Sequence, residues 1–322
     1  MTKLIRISLF TLLVCGGAAQ GHAGKFFALG TASSKGTYFP VGRAFCQQIN
    51  KYSDAHRLRC LEYVTGGSVY NIHALMTEEL DLAITRSDLS YYAFKGRGRF
   101  KGLENHKQLR TVLNLYTQPL LVTVKTGNGI SNFSDFKGRS INIGNKGSGK
   151  RDIAQKIFSI MNWNNRIFSA VTEYSTSQQG TPFCQEDIDI LIESIGLPNK
   201  FYSGLIKTCG AMFIAVSPKV ISGLKKLGPF FFETEIPKAL NPANKGVAKT
   251  VGIKVVLITT IRQPVEPIKT LANVIIYNLD EFRNSHPSLK GLSKRSLFSE
   301  GINIPLHPGV TAALSEVKGK LR

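Results

Sequence analysis

The chain runs to 322 residues, 43% hydrophobic and 19% charged, with 30 Gly and 13 Pro. That mixture excludes collagen, coiled-coil and disordered classes, and the length suits two domains that each bury their own core. The 41 Lys plus Arg against 21 Asp plus Glu give a formal net charge of +20 and a pI near 9.8, which raises nucleic acid, anionic surfaces and anionic small molecules as partners.

Residues 1–23 read as a signal peptide. Lys3 and Arg6 precede an apolar run from Leu9 to Val14 with no acid, and Gly21-His22-Ala23 supplies small residues for cleavage after Ala23. The run is too short to span a bilayer, and Val14 before Cys15 is too bulky for a lipoprotein site. Cleavage removes only two cations and leaves +18, so the leader does not explain the charge. Export places the mature chain outside the cytoplasm and makes nucleic acid the weaker partner. No later stretch offers 18 consecutive apolar residues; Lys254 interrupts 252–261.

From residue 25 to 95, apolar strand patterns alternate with helical ones: KFFALGTA, then YFPVGRAFCQQINKY; LRCLEYV, then SVYNIHALMTEE; LDLAIT, then a short helix near LSYYAF. Continuous apolar strands joined by crossover helices predict a parallel sheet covered on both faces. Ligands of such sheets bind outside the carboxyl ends of the strands, where this chain carries TASSKGTY, TGGSVYN and TRSDLS. Two adjoining strands, LRTVLNLY and PLLVTVKT, lead out of this lobe. A second α/β lobe follows: strand SINIGN, helix GSGKRDIAQKIFSIMN, strands IFSAVTEY and DIDILIES, a helix over 198–208 and strand AMFIAV. Residues 228–249 read as loop-rich, with Pro229, Pro237 and Pro242. Strand TVGIKVVLITT then returns to the first lobe and a long helix spans 265–285. The predicted architecture is a two-lobed α/β protein, with lobe 1 over 24–122 plus 258–322, lobe 2 over 123–257, and a cleft that closes by hinge motion.

Cys46, Cys60, Cys184 and Cys209 remain after cleavage, an even count suited to an oxidising compartment. Three full pairings are open. Cys46–Cys60 with Cys184–Cys209 is preferred because each bridge then stays within one lobe and leaves the hinge free. With no CxxC and only isolated histidines, the chain lacks a zinc-ligand cluster, and no cofactor is expected.

GNKGSGK, Gly144 to Lys150, lies between a strand and a helix and fits the first seven positions of a phosphate loop, but Arg151 stands where Ser or Thr would hold magnesium. An anion cradle of glycine-loop amides at a helix N-terminus is what remains, against a plain strand-to-helix turn. TGGSVYN puts Ser68 at or near a helix N-cap; Tyr70 in place of Gly rules out a hydrolase elbow, and Lys146 does the same for Ser148. Arg86 and Asp88 follow the third strand directly, where they face the cleft mouth or merely pair on the surface. Glu193 is the corresponding acid of lobe 2. Arg86, Lys150 and Glu193 together suit a ligand with both a carboxylate and an ammonium group.

The order LGTASSKGTYFPVG, VTGGSVYNIHALMTEELDLAITRSD, SDFKGRSINIGNKGSGKRDIAQKI and GINIPLHPGV resembles the TAXI family of TRAP transporter solute receptors across essentially the whole mature chain. The resemblance implies a two-lobed, type II-like periplasmic binding-protein fold and no catalysis. It also implies a monomer that delivers a small carboxylate or amino acid, glutamate-like in character, to an ion-driven TRAP permease. The family's first loop matches Ser34, Gly36, Thr37 and Tyr38, with Lys35 where a small residue is usual, and Thr65 to Ser68 match unchanged. Arg86, Ser87 and Asp88 stand where Gln, a small residue and Asp are common, and Gly147, Ser148, Gly149 and Lys150 stand where GSGT is usual. Ile192, Glu193 and Ser194 replace a stretch where Phe and Gly are frequent, before the retained Gly196 and Pro198. The expected solute site is therefore Ser34, Thr37, Tyr38, Ser68, Arg86, Ser87, Gly147, Ser148, Gly149, Lys150 and Glu193. Arg86 and Lys150 would neutralise a carboxylate, and the glycine-turn amides would donate to it. The alternative is an exported cationic protein that reuses the fold to bind an anionic surface or host macromolecule.

Overall fold

A computed structural model describes residues 25–104, 106–243 and 247–320, with side chains to 316; the expected leader and its cleavage site lie outside the described residues. Ten strands form one mixed, curled sheet: β1 (Phe26–Gly30), β2 (Arg59–Tyr63), β3 (Leu82–Arg86), β4 (Leu109–Lys125), β5 (Ser140–Asn142), β6 (Ala170–Thr172), β7 (Ile190–Ser194), β8 (Ala211–Ile214), β9 (Phe231–Ile236) and β10 (Ala248–Thr260). Their order is β2-β1-β3-β10-β4-β7-β5-β6, with β8 also on β4 and β9 on β10. β1 pairs in parallel with β2 and β3, and β5 with β6 and β7, while β4 and β10 run antiparallel to their neighbours.

Each half buries its own side chains. One half packs Phe27, Leu29, Phe45 and Ile268 on one sheet face and Ile72, Leu75, Ala83 and Ile258 on the other. The other half packs Phe136, Ile141, Ile153 and Leu224 on one face and Phe183, Tyr202 and Phe213 on the other. These are the two lobes, and β4 and β10 are the two crossings. On β4 the side chains through Tyr116 belong to lobe 1 and those from Leu120 to lobe 2; on β10 Ile253 belongs to lobe 2 and Val255 to lobe 1. On each strand this change of packing comes a few residues before the boundaries expected at 122/123 and 257/258.

The two strands expected at 109–126 are one continuous 17-residue strand. Pro119 lacks an N–H, yet it sits opposite Gly252 of β10 and its carbonyl accepts from Ile195 N–H at 3.3 Å, so pairing continues through it. The loop-rich stretch 228–249 contains β9, whose FFETEI alternates inward and outward as an edge strand should. The long helix expected at 265–285 is broken at Asn278 into Val265–Tyr277 and Leu279–Asn284. Cys46 on the helix Tyr38–Lys51 is bonded to Cys60 on β2, and Cys184 to Cys209 at the end of the helix Lys200–Cys209, so each bridge stays within its lobe. Among the described residues no helix is long and apolar enough to cross a membrane.

Candidate functional site

The loops that leave β1, β2 and β3 meet those that leave β5 and β7, because parallel strands in each lobe place their carboxyl ends toward the same seam. Between them lies a cavity of about 60 Å³ lined from lobe 1 by residues including Ser33, Thr37, Tyr38, Gly67, Ser68 and Arg86, and from lobe 2 by Ser148, Gly149, Lys150, Thr176, Glu193 and Ser194, with Gln118 from the β4 crossing.

Asn71 organises the lobe 1 side. Its fully buried side chain donates to Thr31 O at 2.7 Å and Ile84 O at 2.8 Å, tying the ends of β1 and β3, and its Oδ1 lies 2.6 Å from Thr65 Oγ1. Gly67 caps the helix Ser68–Met76 at φ +104, a conformation that favours glycine. Ser68, expected at or near the N-cap, is the first residue of the helix, next to the cap. Its Oγ lies 3.0 Å from Tyr38 OH and accepts from Arg86 N–H at 3.3 Å, and burial raises the pKa of the Tyr38 hydroxyl.

The two lobes touch directly. Gly147, at φ +81, offers its carbonyl to Val69 N–H and Tyr70 N–H at 3.0 and 3.1 Å, so the lobe 2 glycine turn terminates the lobe 1 helix. Asn145 Nδ2 donates to Gly66 O at 3.1 Å, Thr37 Oγ1 to Gly196 O at 2.9 Å and Asn199 Nδ2 to Lys35 O at 3.2 Å. Ser148 Oγ caps the helix Gly149–Met161 by accepting from Arg151 N–H.

Both cations expected to meet a ligand carboxylate already have carboxylate partners. Arg86 is fully buried; its Nε donates to Asp88 Oδ1 at 2.8 Å and its Nη2 to Asp88 Oδ2, while Nη2 reaches Asp152 Oδ2 of lobe 2 at 3.0 Å and Nη1 donates to Gly149 O. The pairing of Arg86 with Asp88 is thus inside the protein rather than on its surface. Burial pulls the guanidinium pKa down, but the two carboxylates more than offset it and hold it above its usual range. Lys156 and Arg99 complete the charge cluster against Asp152. Lys150 Nζ has three N–H and three acceptors: Gln179 Oε1 at 2.9 Å, Glu193 Oε2 at 3.1 Å and Thr176 Oγ1 at 3.4 Å. Burial still pulls its pKa below the ordinary lysine value despite Glu193. The Lys150 stem lies against Gly144, at φ +93, where a Cβ would stand 2.3 Å from Lys150 Cγ. Gly144 therefore makes room for Lys150, a reason for the glycine other than cradling phosphate.

Of the expected site residues, Thr37, Tyr38, Ser68, Arg86, Ser148, Gly149, Lys150 and Glu193 come together on the cavity. Ser34, Ser87 and Gly147 do not line it. Ser34 is exposed on a turn closed by Gly36 N–H to Ser33 O, Ser87 Oγ is buried without a partner at the start of the helix Ser87–Phe94, and Gly147 turns its carbonyl to the other lobe. Gln118 and Thr176 line the cavity without having been expected, and Ser194, expected only as a departure from the family's stretch, lines it too. For Gln118 the available signal was a polar residue inside an apolar strand.

Residues 29–317 match the NMT1-like family. Among solved structures, one described as a periplasmic transporter superposes with a TM-score of 0.56 at 14% identity, over 93% of this chain and 98% of that one. The periplasmic binding protein BugD gives 0.55 at 10% identity over 92% and 94%, and an ancestral arginine-binding protein gives 0.50 at 12% over 84% and 100%. These likenesses establish the two-lobed periplasmic binding-protein fold.

Proposed function

The chain belongs to the NMT1-like family, and from that premise we propose that it is an extracytoplasmic solute receptor, without catalysis, which closes its two lobes on a small polar solute and presents it to a membrane permease. The observation that carries this reading is the convergence of strand-end loops from both lobes on one cavity lined by hydroxyls, an amide and paired charges. The resemblance of the strand-end loops to TAXI receptors supports a TRAP-type permease, a periplasmic location and a solute of the carboxylate or amino-acid class. The test is thermal unfolding of residues 24–322, stripped of carried solute by unfolding and refolding, against amino acids, dicarboxylates, amides, polyols and sugar acids. A solute at about 100 times its dissociation constant adds roughly 2.7 kcal/mol. Folded protein that shifts with none of them refutes the receptor.

A second reading, an exported cationic protein that binds an anionic surface, is favoured by one observation. Lys95, Arg97, Lys101 and Lys107 are exposed on one segment, and among the described residues none of them has a carboxylate partner. Salt separates the two: surface adhesion weakens steeply as exposed charges are screened over about 8–10 Å, whereas an enclosed solute is held.

A further inference from the structure

The cleft's charges are balanced within the protein. Arg86 and Lys150 are the cations on the cavity, and each is held by carboxylates of this chain: Asp88 and Asp152 for the first, Glu193 for the second. Every N–H of the Lys150 ammonium has a protein acceptor. Arg86 gives four of its five N–H to Asp88, Asp152 and Gly149 O, so a solute carboxylate that took the place of Asp88 or Glu193 would leave that group buried without its partner, the costly outcome for an ion pair in a protein interior. Of the helix N-termini that reach the cavity, the one at Ser68 gives two of its amides to Gly147 O, and the one at Gly149 is capped by Ser148 Oγ, which accepts from Arg151 N–H, and carries the Asp152 carboxylate in its first turn.

What the cavity leaves unsatisfied is neutral. The Gln118 side chain is buried; one end of its amide donates to Ser194 Oγ at 2.9 Å, and the other end, Oε1, has no partner. Ser33 also lines the cavity, and its Oγ is likewise buried and unpaired. A carbonyl oxygen asks for a donor, and a hydroxyl accepts or donates. The volume, about 60 Å³, is far below the roughly 300–1,000 Å³ of pockets for drug-sized ligands, so the solute is small.

We propose that the cleft selects a small polar solute of zero net charge that donates hydrogen bonds, and rejects a carboxylate anion of the same shape. This rests on the receptor reading above and narrows it.

Matched pairs that exchange an amide for a carboxylate test it: acetamide against acetate, lactamide against lactate and succinamide against succinate. Each is titrated calorimetrically into stripped, refolded wild-type protein beside the broader panel. The expected result is tighter binding of the amide in every pair that binds, by at least about tenfold, because the anion must leave a protein carboxylate unpaired. Glu193→Gln removes the carboxylate that holds Lys150, Asp88→Asn leaves Arg86 with the Asp152 carboxylate, and each should move the preference toward the carboxylate solute by about tenfold or more. If neither variant folds, the wild-type ratios decide. A wild-type preference for the carboxylate overturns the inference and leaves the receptor standing; absence of binding by every solute overturns both.

Discussion

Asp88→Asn is the sharpest probe of how the cleft is held. The substitution keeps the shape of a fully buried side chain, so no cavity opens, but it removes the charge that faces Arg86 Nε and Nη2. Breaking a buried ion pair by deleting one partner costs about 3–5 kcal/mol. Arg86 keeps Asp152 and Gly149 O, which places the loss near the low end, about 3 kcal/mol. A chain of about 300 residues unfolds with an entropy near 0.6 kcal/mol per degree, so the melting temperature should fall by about 5 °C. Scanning calorimetry measures this directly, with Lys51→Met as control. Lys51 is 2.6 Å from Glu281, but both side chains are about half exposed, and that variant should melt with the wild type. The Asp88→Asn deficit should persist at high salt, since buried pairs are screened little. A fall under about 1.5 °C, or one matched by the control, refutes the claim that an uncompensated guanidinium limits this site.

Acid titration offers a second view of the same residue. Burial alone would raise the Asp88 carboxyl, but the charge and hydrogen bonds of Arg86 hold it below the usual carboxylate range. Its stabilisation is therefore complete above the unfolded pKa near 3.9 and lost as pH falls through the lower native value, so the melting temperatures of wild type and Asp88→Asn should converge below about pH 4. His307 behaves similarly at higher pH. Its Nδ1 accepts from Gly309 N–H and its Nε2 faces Gln263 O, each at 3.1 Å, so the ring is neutral with its proton on Nε2, and burial lowers its pKa. Stability from this group is full above about 6.5 and falls below it, and His307→Gln should flatten the loss between about pH 6.5 and 5. Thr37→Val removes the hydroxyl that bridges to Gly196 O, weakening closure by about 1 kcal/mol, and small-angle scattering should show a larger radius of gyration; an unchanged radius contradicts the latch role. Replacing Cys46 and Cys60 together by Ala should cost about 3 kcal/mol in denaturant unfolding, given the 14-residue loop they close.

The strand-and-helix alternation of both lobes was legible because it is a local property: apolar runs bounded by glycine and polar turns fold as read, and their carboxyl-end loops carry most of the cavity. Two local readings went astray for physical reasons. LRTVLNLY and PLLVTVKT read as two adjoining strands, but pairing with β10 continues through Pro119, opposite Gly252, and makes them one. The proline-rich surroundings of 228–249 obscured the period-2 pattern of β9. Asn71 was visible in TGGSVYN, yet nothing local announced that its amide ties strands β1 and β3 together.

The partners of the charged residues lie on another level. Arg86 and Asp152 are 66 positions apart, and Lys150 meets Gln179 and Glu193 at separations of 29 and 43. Residue types and strand-end positions alone assign these side chains to the cleft, together with the two-lobed fold and the cysteines available for bridging. Tertiary structure decides that the charges face each other rather than an open cavity. The reason is energetic: a cation taken out of water needs a counter-charge from somewhere, and only the packing of β3, the helix Gly149–Met161 and β7 reveals that the protein supplies it.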